Sequence, residues 1–138
     1  MKPVLLDTGV IVALLDQSER THQLCVNTVR GMVAPLITCE AVIAESCYLL
    51  RGLAGAPEAV IENVGAGIFQ IPFQLSHESQ GVRSILRKYR DRKIDLADAC
   101  LIRLAEITGS GQILTLDKDF SVYRWGRNKP FHVLPESI

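Results

Sequence analysis

KPVLLDTGVIVALLD, residues 2–16, sets three adjacent aliphatic side chains, Val4, Leu5 and Leu6, directly against a carboxylate, Asp7, and turns apolar again within three residues. A short apolar run without alternation describes a strand buried on both faces, as in a parallel sheet. Asp7 then stands at the carboxyl end of that strand, where open α/β sheets place the residues that meet a ligand. A second stretch repeats the pattern: QILTL, residues 112–116, runs straight into Asp117. If the two strands are neighbours at the point where strand order reverses, two carboxylates meet at one mouth.

Working outward, strands and helices alternate. Strands are expected at 3–7, 35–37, 68–73, 112–116 and 131–134. Pro72 marks IFQIPF as an edge strand or a strand end. Helices are expected at 9–16, 20–33, 38–54, 57–66, 77–92, 95–108 and, briefly, 119–125. Gly52 and Gly55 weaken the end of the fourth-decade helix, Pro57 suits a helix start, and Gly109 suits a stop. Such alternation implies a mostly parallel sheet with helices on both faces and right-handed crossovers.

The 138 residues fit one domain, 1–138, with 48% apolar and 22% charged side chains, outside the disordered range. No apolar run reaches the roughly 18 residues of a membrane span, and the N-terminus lacks a secretory core. A soluble cytoplasmic protein without membrane contact is expected. Cys25, Cys39, Cys47 and Cys100 form no C-x-x-C pair, so zinc and a disulfide framework are poorly supported, and the cysteines read as small core fillers. His22, His77 and His132 are scattered.

Charge is balanced overall but uneven. Residues 1–82 carry four basic and eight acidic side chains, whereas 83–138 carry eleven and seven. RSILRKYRDRK holds Arg83, Arg87, Lys88, Arg90, Arg92 and Lys93 against Asp91 alone. That is either a solvated helix face or a footprint for a polyanion such as RNA.

Two further carboxylates fall on apolar helical faces. Glu45, in TCEAVIAESCYLL, has Ala41, Val42, Tyr48 and Leu49 at helical neighbour positions, so it is expected to project from a core-facing stripe. Glu40 lies in the first turn and complements the helix dipole. In KIDLADACLIRLAE, Asp95 and Asp98 read either as a capping pair or, with Asp95 alone filling the cap, as a cap and a carboxylate left free beside the expected sheet mouth. In LDKDF, Asp119 is the better N-cap by position, leaving Asp117 for the site. Thr8 and Thr115 flank the two strand ends and can hold carboxylates.

Asp7, Glu45, Asp98 and Asp117 gathered together would repel and raise one another's pKa values. A hard dication such as Mg²⁺ or Mn²⁺ relieves that with oxygen ligands. A site of this type activates water against a phosphodiester, with a spare carboxylate as general base. The basic run beside the Asp95–Asp98 helix would bring the nucleic-acid backbone to it.

Four blocks, LLDTGVIVALLD, ITCEAVIAESCYLL, DLADACLIRLAE and ILTLDKDF, together resemble the PIN domain family, most closely its VapC-type ribonuclease toxins. The blocks span nearly the whole chain. The resemblance implies a three-layer α/β/α sandwich around a mostly parallel five-stranded sheet. It implies a Mg²⁺ or Mn²⁺ site at Asp7, Asp98 and Asp117, with Glu45 catalytic and Thr8, Thr115 and Asp119 in support; which of Asp117 and Asp119 lies nearer the metal stays open. It also implies RNA cleavage, homodimerisation and inhibition by a VapB-like antitoxin whose tail crosses the groove. Two alternatives differ in class. A haloacid-dehalogenase-type phosphatase wants a second Asp where Gly9 stands, and a receiver wants its Lys elsewhere than Lys118. A non-catalytic or housekeeping RNA-binding PIN module would keep its function after the acids are neutralised.

Overall fold

The structure, a computed structural model, describes residues 2–136. Five strands form one sheet: β1 (Val4–Leu6), β2 (Leu36–Ile37), β3 (Phe69–Gln70), β4 (Gln112–Leu114) and, numbered after a small hairpin, β7 (His132–Leu134). Their order is β3-β2-β1-β4-β7, and every neighbouring pair is parallel. The chain walks outward from β1 to β3 and then returns to lay β4 on the other side of β1. The switch point therefore falls between β1 and β4, where Leu5 faces Ile113 and Leu6 faces Leu114.

Val4, Leu5, Leu6, Ile113 and Leu114 are all buried, which requires cover on both faces of the sheet. Six helices supply it: α1 (Thr8–Leu15), α2 (His22–Arg30), α3 (Glu40–Leu49), α4 (Ala56–Gly65), α5 (Leu75–Lys88) and α6 (Leu96–Thr108). α1 packs on α2, α3 and α4, while α5 and α6 pack on one another. α6 is the most deeply seated helix, with Ala99, Cys100, Leu101, Ile102, Leu104 and Ala105 buried. It stops at Gly109, whose φ of 69° is the left-handed conformation that glycine adopts without penalty. None of the helices among the described residues is long and apolar enough to cross a membrane.

The expected strands are present and parallel but shorter: β3 is Phe69–Gln70 where 68–73 was expected, so Pro72 falls beyond its end, and β4 stops at Leu114 where 112–116 was expected; β3 lies at the sheet edge. Three local expectations are corrected. The helix expected to reach residue 54 ends at Leu49, because the chain turns through Gly52 and reverses at Gly55, where φ is 81°. The helix expected over 77–92 runs from Leu75 to Lys88 and gives way to a 3₁₀ turn, Arg90–Arg92, that ends on Lys93 at φ 55°. The expected helix at 119–125 is absent. A 3₁₀ turn, Lys118–Ser121, leads instead into an antiparallel hairpin of β5 (Arg124–Trp125) and β6 (Lys129–Pro130). Gly126 and Asn128, both at positive φ, make its turn, and Phe120 and Tyr123 are drawn into the core. There Phe120 meets Tyr123 and Phe131 edge to face, and Tyr123 meets Tyr89 in the same way.

Candidate metal centre

Asp7 follows β1 directly and caps α1, its Oδ1 accepting from the Thr8 amide at 2.8 Å. Its Oδ2 accepts from the Thr115 hydroxyl at 2.7 Å. Both oxygens are thus aimed by neighbours that are themselves buried. Thr115 continues β4, and its hydroxyl also accepts the Asp117 amide at 3.0 Å. One hydroxyl therefore orients the strand-end acid of β1 and the backbone of the acid that follows β4.

Asp98 arrives from the first turn of α6, where the N-cap Asp95 accepts its amide at 2.9 Å. One carboxylate oxygen from each of Asp7, Asp98 and Asp117 lies within 4.8 Å of the other two. Glu45 reaches the same cleft from α3, and the Thr8 hydroxyl donates to its Oε1 at 2.7 Å. The cleft has a volume of about 300 Å³ and is lined by these four acids with Thr8, Gly9, Leu49, Asp95 and Leu116. Asp95, read from sequence only as a cap, is a fifth acid at its wall.

Burial pushes the Asp7 carboxyl up to about 6, against the opposing pull of the Thr115 and Thr8 hydrogen bonds and with further repulsion from Asp117 and Glu45. Burial pushes Asp98 up to about 8, reinforced by Asp7, Asp95, Asp117 and Glu45. Among the described residues no Lys or Arg lines the cleft to offset this. The donors are all oxygens, none soft, and their charge is uncompensated. That donor set fits a hard divalent cation such as Mg²⁺ or Mn²⁺ and does not fit a thiolate-seeking metal.

Three sequence-based placements change. Glu45 does not project from the core stripe of α3, which is Val42, Ile43 and Ser46. It lies on the exposed side with Tyr48 and Leu49, and it reaches the cleft because the start of α1 passes close to α3. Asp117, not Asp119, caps the turn after β4: its Oδ1 accepts the Asp119 amide at 2.9 Å. Asp119 itself turns to Arg92 at 3.1 Å and does not line the cleft. Of the basic run, Arg92 is thereby tied to the edge of the site. Arg83, Arg87, Lys88, Arg90 and Lys93 are exposed and form no ion pair among the described residues.

A parallel sheet with acids gathered at its switch point defines a class of α/β proteins, and the sequence assigns this one. Residues 4–126 match the PIN domain, and the chain belongs to that family. It is 29% identical over 135 residues to Ribonuclease VapC26 of Mycobacterium tuberculosis (strain ATCC 25618 / H37Rv), an alignment covering 96% of this chain and 100% of the relative. The fold superimposes on the crystal structure of Mycobacterium tuberculosis VapC20, described as a sarcin-ricin loop cleaving toxin, with a TM-score of 0.78. That match covers 92% of this chain and 99% of the other at 19% identity.

Proposed function

We propose that this chain is a metal-dependent endoribonuclease of the VapC type, a single-domain toxin that hydrolyses RNA phosphodiester bonds at the Asp7–Asp98–Asp117 cleft. The observation that carries this is the convergence of those three carboxylates within 4.8 Å on a chain whose curated relative is a ribonuclease. Asp7, Asp98 and Asp117 would hold Mg²⁺, or Mn²⁺ in its place. When bound, the ion supplies charge neutralisation for the phosphodiester and a more acidic water.

The protein's own groups do the rest. Thr115 and the Thr8 amide keep both oxygens of Asp7 facing inward, so the donors are organised before a ligand arrives. Glu45 has Oε1 occupied by the Thr8 hydroxyl, and its other oxygen takes the proton of the attacking water. The exposed cations Arg83, Arg87, Lys88, Arg90 and Lys93 track the RNA backbone, and Arg92 stands where that track meets the cleft. Tyr48 and Leu49, 62% and 55% exposed on α3, with Leu116 at the rim, support docking of a VapB-like antitoxin segment beside the acids. A homodimer is part of the same proposal.

The deciding experiment compares wild type with Asp98→Asn on a short single-stranded RNA in Mn²⁺ and in EDTA. Cleavage is expected to fall at least 100-fold in the variant and in EDTA, with unchanged circular dichroism. Equal cleavage by the two proteins would overturn the assignment.

A further inference from the structure

Two buried thiols share a crevice between the start of α3 and α6. Cys39 is the residue on which α3 begins, and Cys100 lies in the second turn of α6. They are 1% and 2% exposed, and both line one crevice where α3 and α6 pack together. The other two cysteines stand apart from them. Cys25 is buried under α2, and the Cys47 thiol turns to the Pro57 carbonyl. A crevice of about 90 Å³ reaches the pair, lined by Cys39, Cys100, Phe73 and Leu75 with Glu40 and Ala41. Glu40 and Leu75 are exposed at its edge. A water molecule's share of the liquid is about 30 Å³, so an oxidant as small as hydrogen peroxide fits where a bulky thiol reagent does not.

We propose that Cys39 and Cys100 form a peroxide-sensitive modification site that closes as an intramolecular disulfide between the start of α3 and α6. Hydrogen peroxide oxidises one thiol to a sulfenic acid and is itself reduced to water. The second thiol then displaces hydroxide from the sulfenic sulfur, forming the S–S bond and releasing a second water. Together two thiols and one peroxide give one disulfide and two waters. The cross-link ties the helix that carries Glu45 to the helix that carries Asp98, and it uses no residue of the acidic cleft. It stands apart from the nuclease assignment, since the bond forms whether or not RNA is cleaved.

The test uses the full chain, purified reduced and treated with graded hydrogen peroxide. Peptide mapping without reductant is expected to recover a Cys39–Cys100 cross-link, reversed by dithiothreitol. Closing a long loop raises the unfolding midpoint, here by about 5 °C or more. Cys39→Ala and Cys100→Ala are each expected to lose the cross-link and the upward shift. Three results would overturn the proposal: both thiols still free when Cys47 has been consumed, a cross-link to Cys25 or Cys47 instead, or sulfinic acid at either position without a cross-link. If a variant fails to fold, the wild-type map decides alone.

Discussion

Replacing Asp7 with Asn separates the electrostatic cost of the cleft from its chemistry. Burial holds the Asp7 carboxyl at about 6 against an ordinary 3.8, a gap of roughly 2 units or about 3 kcal/mol. The folded chain binds this proton more tightly than the unfolded chain does. The associated stability is complete below the ordinary value and is lost as pH rises from about 4 through about 6, so Asp7 weakens the metal-free protein over that window. Asn carries no such charge. It keeps the contact with the Thr8 amide and reverses the one with the Thr115 hydroxyl, at a cost of about 1 kcal/mol. Asp7→Asn is therefore expected to be about 2 kcal/mol more stable than wild type at pH 8 in EDTA, with the gap shrinking below about 1 kcal/mol at pH 5. Saturating Mn²⁺ should reverse the order, since a ligand at a hundredfold excess over Kd adds about 2.7 kcal/mol to a protein that binds it. Urea unfolding at the two pH values, with EDTA and with Mn²⁺, measures all of this. A variant less stable than wild type at pH 8 without metal, or an advantage independent of pH, would refute the picture of Asp7 as a buried, uncompensated charge.

Thr115→Val removes the hydroxyl that aims Asp7 and receives the Asp117 amide. Mn²⁺ affinity by calorimetry should fall about 10- to 100-fold, the range for lost supporting hydrogen bonds, and Thr115→Ser should restore most of it. Arg83→Ala combined with Arg87→Ala removes two exposed cations without touching the core. RNA binding should weaken, and the slope of log affinity against log salt should become shallower by about 1.4, at about 0.7 per single-strand phosphate contact. Phe120→Ala empties a fully buried position flanked by Tyr123 and Phe131. It should cost about 3–5 kcal/mol in a denaturant titration.

The strand-end acids were legible because short, unbroken apolar runs announce buried parallel strands, and whatever follows such a strand stands at the sheet's mouth. Asp7 and Asp117 needed no more than that, and α6 with its Asp95 cap placed Asp98. Glu45 reaches the cleft for a reason other than the one its periodicity suggested: its apolar neighbours Tyr48 and Leu49 face solvent, and periodicity alone does not distinguish an exposed apolar face from a core face. The division of labour between Asp117 and Asp119 turned on which carboxylate accepted a single amide, a choice between two equally spaced acids. The hairpin after Ser121 was missed because the burial of Phe120 and Tyr123 outweighed the helical character of FSVYRW. That Cys39 and Cys100 share a crevice depends on how α3 and α6 pack, which no local pattern records.

The return of the chain to β1 has a consequence for timing. A ribosome making this polypeptide emits Asp7 and Glu45 early, but Asp98 follows much later and Asp117 later still, and β4 cannot dock beside β1 before it exists. Domains fold as their segments emerge, so the acids converge only once β4 has been made and paired with β1. A nascent chain therefore carries an incomplete acidic centre until the segment through Asp117 has been made.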